Sequence, residues 1–434
     1  MSEYFEIAYA ATSSRLCLFT GTGFSKSVSD NQAPSWQGLL ESLCELLANG
    51  NDLKASLFPK DGKNTLGLEE AAQVISIELQ KVGKSIHEEI AKEISSIKLM
   101  GNNASIEDFL SKCSCRVVTT NYDKLVEELV GFEACHSLTP GLPIPRSSAR
   151  VKVYHVHGSI DSPENMVVTS DDYFKFIHSE SYFSRKLSTV LHENTVVILG
   201  YSLGDANLKS IISDYKGFSK NHVIGSNIFL VSRSKVDQPV KDYYAHCYGI
   251  RVIDETECHD FFKKLNSEIP NAEKCAESSV ANIKKVVFNN HQFTKGFLSI
   301  ENAFYEIVSS IAAVGVSIND KKVVKALGQI IEFKTDLTNG YNAWEQYEHM
   351  ARWLIYIASI LEIRGTSIEK VFLDATLRSM NSMRKELYIG YSWHAYNSWN
   401  QRWPGIIASN RVLIRDYIVE NTTWPDALQV VNRN

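Results

Sequence analysis

Short apolar runs recur through the first 260 residues: Leu16 to Thr20, Arg116 to Thr120, Val151 to Val156, Thr195 to Leu199, Ile228 to Val231 and Ile250 to Ile253. Most are apolar throughout instead of alternating, and each is closed within two residues by Gly, Ser, Asn or Asp. Unbroken apolarity over four to six positions implies burial on both faces, as in a parallel sheet covered by helices on each side. The segments between the runs carry helical periodicity, so the pattern predicts an α/β, doubly wound, Rossmann-like parallel sheet. Between the first two runs the apolar pattern is helical over Ser35 to Leu47, Leu68 to Leu79 and Ile86 to Ile97, which predicts a helical module inserted over the sheet at about 35–110.

From about Ala281 the pattern changes. Ile300, Phe304, Ile307, Val308 and Ile311 follow one helix face, and further helices are expected over Lys321 to Phe333, Trp344 to Leu361, Ile368 to Met383 and Asn410 to Val419. The polar stretch Asn266 to Ser279, with Pro270 inside it, reads as a linker. The expected organisation is therefore a sheet domain over 1–272 and an all-α domain over 281–434.

Composition narrows the class. With 45 Lys and Arg against 50 Asp and Glu, the formal charge of −5 supplies no general field toward nucleic acid or acidic lipid. The acidic start, Met1 to Glu6, lacks the features of a secretory signal, and no apolar run approaches the length of a membrane span. Eight scattered cysteines do not form a disulfide framework, and a cytoplasmic protein is expected.

In a doubly wound sheet, ligands bind at the carboxyl ends of the strands, so the residues that follow each run carry the candidate chemistry. The first run leads into Gly21-Thr22-Gly23-Phe24-Ser25, where glycines let backbone approach a phosphate. The next ends in Thr119-Thr120-Asn121-Tyr122-Asp123, the third in His155-Val156-His157-Gly158-Ser159, and the fourth in Gly200-Tyr201-Ser202-Leu203-Gly204-Asp205. Each segment alone also suits a turn or a helix cap. Together they occupy four successive strand ends of one predicted crevice.

These segments, GTGFS, TTNYD, VHGS and GYSLGD in that order, resemble the NAD-binding core of sirtuins, and more closely the sirtuin-like NAD hydrolases of bacterial antiviral defence, the Thoeris effectors among them. The likeness extends to Ser35-Trp36 and to Val168-Thr169-Ser170-Asp171-Asp172-Tyr173, and covers roughly residues 10–265. The resemblance implies that Asn121 and His157 are catalytic. It further implies that Gly21, Thr22, Gly23, Phe24, Ser25, Thr120, Asp123, Gly200, Ser202 and Asp205 surround NAD. Thr22 departs from the family, which more often has Ala there.

Loss of nicotinamide develops positive charge on ribose C1′ and releases a neutral base, so the reaction calls for fixed dipoles and a positioned oxygen nucleophile. Asn121 offers an orienting amide and His157 a proton acceptor near neutrality; Asp123 is expected to cap the helix that follows. Deacylating sirtuins carry a zinc ribbon of two Cys pairs after the catalytic His, whereas only Cys247, Cys258 and Cys275 follow His157 here. No metal is expected, and water is the expected acceptor. The expected function is NAD hydrolysis in abortive anti-phage defence. A sirtuin-like sensor of NAD, a deacylase, an ADP-ribosyl transferase and cyclisation are the alternatives. Six of the seven tryptophans lie in the helical half, most of them expected in its core. That half is expected to silence or assemble the enzyme, as a homo-oligomer or with a phage-derived trigger or co-encoded partner.

Overall fold

In the computed structural model the apolar runs become strands: β1 Leu16–Thr20, β2 Cys115–Thr119, β4 Val151–His155, β5 Thr195–Leu199, β6 Ile228–Val231 and β7 Ile250–Ile253. The structure describes residues 3–59, 66–144, 148–178, 186, 189–190, 193–201, 228–289, 293–301, 303–314, 320–340 and 343–433. A further strand, β3 Cys135–Leu138, adds to the edge beside β4. Its sequence, CHSL, is short and half-buried, with no β-branched residue to announce it. All neighbours pair in parallel, in the order β3-β4-β2-β1-β5-β6-β7. The order reverses at β1, flanked by β2 and β5, and this is the topological switch point.

Unbroken apolarity in the strands corresponds to burial on both faces. In β1, Leu16 and Leu18 enter one core cluster, while Cys17 and Phe19 enter the cluster on the opposite face. The inserted helices α3 Trp36–Cys44, α4 Gly50–Leu57, α5 Leu68–Lys81 and α6 Ile86–Ser95 share a third cluster of their own around Leu40, Ile75, Leu79 and Ile90. The next helix, α7 Ala104–Lys112, turns Ile106, Phe109 and Leu110 into the main core instead.

The segment expected as a linker is helical. Asn266 to Ser279 lies inside one long helix, Cys258–Asn289, with Pro270 in its interior. Proline removes a helix hydrogen bond at a cost of about 3 kcal/mol. Burial overrides that cost: Phe261, Phe262, Leu265, Ile269 and Ala272 are all 4% exposed or less and pack in the main core. The same cluster includes Phe5 and Ile7 of α1 Glu3–Thr12, Phe24 and Val28 of α2 Thr22–Val28, strand residues such as Val117 and Val197, and Phe304, Leu354, Trp399 and Ile418 far along the chain. The C-terminal helices thus continue a layer of the sheet core.

Those helices fall close to expectation, at Ala303–Val314, Lys321–Leu337, Trp344–Ile360, Glu369–Asn381 and Ala408–Asn421, with additional ones at Trp393–Arg402 and Pro425–Val431. Ile300 is an exception: it ends the short helix Lys295–Ser299 and is 52% exposed. Trp353, Trp399 and Trp403 are buried, Trp424 is half-buried, and Trp344 and Trp393 are exposed. All eight cysteines are free, and no described helix is long and apolar enough to cross a membrane.

Candidate active site

A cavity of about 860 Å³ opens at the carboxyl ends of the strands. Its lining gathers Thr22, Gly23, Ser25, Thr120, Asn121, Asp123, His157 and Gly200, eight of the twelve residues expected from the sequence. Phe24 is buried behind the wall and Gly21 packs against the β5 turn, while Ser202 and Asp205 lie outside the described residues.

The two glycine turns at the switch point are in direct contact. Gly21 N–H donates to Leu199 O at 3.0 Å and Gly23 N–H to Gly200 O at 2.7 Å. A Cβ on Gly23 would come within 2.8 Å of Gly200 Cα, and one on Gly200, where φ is +62°, within 1.9 Å of Phe24 N. Gly23 and Gly200 are therefore required by the approach of one backbone to another, and both glycine N–H groups of the first turn are used inside the protein.

Asn121 is held through three groups. Its backbone N–H donates to Thr119 Oγ1 at 3.1 Å, and its carbonyl oxygen lies 3.1 Å from His155 Nδ1. Its side-chain Nδ2 donates to Ser25 Oγ at 2.8 Å, and Ser25 Oγ donates in turn to Asp123 Oδ2 at 2.7 Å. The carboxylate can only accept, so the relay sets its own direction and leaves Asn121 Oδ1 as the acceptor for a water or a ribose hydroxyl. Asp123 also accepts from Leu125 N at 3.2 Å, at the start of α8 Leu125–Val130, so it both caps and orients. Burial raises its pKa against the pull of those two hydrogen bonds.

His157 is 5% exposed, with its ring edge-on to Tyr173 and Phe176 at centroid distances of 5.4 and 5.3 Å. Both aromatics come from α9 Ser170–His178. The His157 carbonyl accepts from Val167 N at 2.8 Å, and Val167 O accepts from Tyr122 Oη at 2.6 Å, which ties the Asn121 turn to the His157 turn. Gly158 follows at φ +87°, where a Cβ would meet Met166 Cα at 2.7 Å.

The cavity has walls that the strand-end motifs did not announce. On one side the helical module contributes Trp36, Leu39, Ile94 and Ile97; Trp36 packs edge-on against Tyr122 at 6.1 Å. On the other, Ser232 and Arg233 follow β6 and Thr256 and Glu257 follow β7. The carboxyl-end rule applies equally to those last two strands and would have found them. Among the described residues, no group of three or more His, Cys, Asp or Glu side chains is placed to hold a metal ion.

With this geometry, residues 116–253 match the family model described as a SIR2-like domain. Over those residues the chain is similar to a SIR2-like domain. It is similar to defense-associated sirtuin 2 of Bacillus subtilis, 22% identical over 260 residues, which cover 59% of this chain and 24% of that protein. It is also similar to NAD(+) hydrolase ThsA of Bacillus cereus, 23% identical over 308 residues, or 69% of this chain and 52% of the relative. A ThsA of Enterococcus faecium is 34% identical over 105 residues, 23% of this chain and 22% of its own length. The SIR2-like match contains Asn121, His157 and Gly200, whereas the Gly21 turn and the helical module precede it.

Proposed function

We propose that this protein cleaves the nicotinamide–ribose bond of NAD with water as acceptor, and that it depletes NAD in anti-phage defence. The observation that carries this reading is the convergence of Asn121 and His157 on one cavity at the switch point, with the Asn121 amide oriented through Ser25 and Asp123. The names of the relatives, a defense-associated sirtuin and NAD(+) hydrolases, support it.

In this reading the dinucleotide lies along the crevice, with its adenosine end toward the β6 and β7 turns and its nicotinamide ribose at Asn121. Asn121 Oδ1 orients the attacking water, and His157 accepts its proton as the bond to neutral nicotinamide breaks. Tyr173 and Phe176 keep the imidazole in one orientation. The C-terminal helices regulate the site through contacts with its walls. Arg411 pairs with Asp242 and Gln238 donates to Pro404 O, both on α10 Gln238–Tyr248, whose Val240 and Tyr244 line the cavity. Tyr356 and Arg251 share Glu6, joining those helices to β7.

The test is nicotinamide release from NAD by the full chain, together with toxicity on expression. Asn121→Ala and His157→Ala are expected to lose both effects. Full activity in both variants would overturn the assignment.

A further inference from the structure

His155 and His157 stand two residues apart, but only His157 lines the cavity. His155 is 0% exposed, and both its ring nitrogens face oxygens: Nδ1 lies 3.1 Å from the Asn121 carbonyl and Nε2 lies 2.7 Å from Glu127 Oε1. A carbonyl and a carboxylate only accept, so the ring meets both when each nitrogen carries a proton. Glu127, itself 1% exposed, is buried with it. Lys124 sits 2.7 Å from the same Oε1 and continues to Asp161 Oδ2 and Ser137 Oγ. Burial opposes ionisation of Glu127, yet His155 and Lys124 beside it hold its carboxyl down at about 2.

We infer that His155, held by Glu127, is a positioning residue for Asn121: it fixes the peptide carbonyl next to the reacting amide without touching the ligand. The Asn121 amide is anchored at its far end by Ser25, and the Thr119 hydroxyl holds its N–H. The carbonyl bond from His155 is the third restraint, and the one that stops the Asn121–Tyr122 peptide from turning. Reacting groups displaced by about 1 Å lose on the order of 100-fold in rate, so this restraint acts on turnover more than on binding.

The inference rests on the hydrolase reading above. Its test compares His155→Asn with His155→Gln in the full chain, following steady-state nicotinamide release and melting temperature. Asparagine places an amide donor near the position of Nδ1, toward Asn121, whereas glutamine places it near Nε2, toward Glu127. The expected result is a kcat loss on the order of 100-fold in His155→Gln with KM little changed, and recovery to within about tenfold of wild type in His155→Asn at a similar melting temperature. Equal kcat in the two variants, or losses that track melting temperature, would overturn the inference. If neither folds, Glu127→Gln decides: a lowered kcat at constant KM supports the inference and an unchanged kcat overturns it. A wild type that releases no nicotinamide defeats the hydrolase reading, and the inference with it, a result distinct from active but indifferent variants.

Discussion

Two buried polar networks lie in different halves of the chain. At the strand ends, Glu127, His155, Ser25 and Asp123 surround Asn121 and set the direction of its hydrogen bonds. In the C-terminal half, Lys334 is 0% exposed, donating to Leu298 O and Gln346 Oε1, each at 2.8 Å, with Nζ 4.1 Å from the centre of the Trp353 ring. Gln346 Nε2 and Trp353 Nε1 donate to Ser299 O and Glu301 O. These donors satisfy the carbonyls left open where the helix Lys295–Ser299 ends. Burial is similar in the two networks, but one borders a cavity and the other seals a helix end. Buried polarity thus points to a candidate site only where it borders a cavity that a ligand can enter.

This contrast predicts which changes cost activity and which cost stability. The largest effect belongs to Asn121→Ala, expected to reduce nicotinamide release by at least about 100-fold while the melting temperature stays near wild type, because the amide serves the ligand more than the core. Next is Asp123→Asn. It weakens the acceptor at the end of the relay and leaves the Asn121 amide less firmly oriented, with an expected loss of about tenfold in kcat; an unchanged rate would show that Ser25 alone suffices.

Gly200→Ala shifts the balance to stability. Its Cβ would meet backbone at 1.9 Å with φ at +62°, so denaturant unfolding should show a loss of roughly 2–5 kcal/mol. The smallest effect on activity belongs to Lys334, whose contribution is a pH dependence of stability. Burial lowers its pKa from 10.5 to about 7. Between those values the unfolded chain binds the proton and the folded chain does not, so stability rises with pH across that window and is flat below it with respect to this group. Lys334→Met should remove that rise in melting temperature between pH 7 and pH 10 and leave the pH dependence of nicotinamide release unchanged. A parallel pH response in both proteins would show that Lys334 does not titrate in this window.

Much of the fold was legible because a strand buried on both faces is mostly apolar, and six of the seven strands carry a majority of apolar residues. The edge strand β3 was not, since an edge position tolerates the polar sequence Cys135–Leu138. The linker expectation over 266–279 failed because local polarity and Pro270 point one way while the packing of Phe261, Leu265 and Ile269 points the other. Of the site, the glycines and the strand-end polar residues could be found from strand endings alone. The roles of His155 and Glu127 could not, as nothing local distinguishes a fully buried histidine from one that lines the cavity two positions away.

By itself, then, the order of apolar runs and turn residues determined the parallel sheet and brought Gly23, Asn121, His157 and Gly200 to one end of it, because strand direction in a parallel sheet leaves no other place for them. Tertiary structure decided the rest: which histidine faces the cavity, which way the Asn121 amide points, and how the C-terminal helices reach the cavity wall. Those outcomes depend on side chains distant in sequence, such as Ser25 with Asp123 or Arg411 with Asp242, whose contacts exist only once the chain has packed.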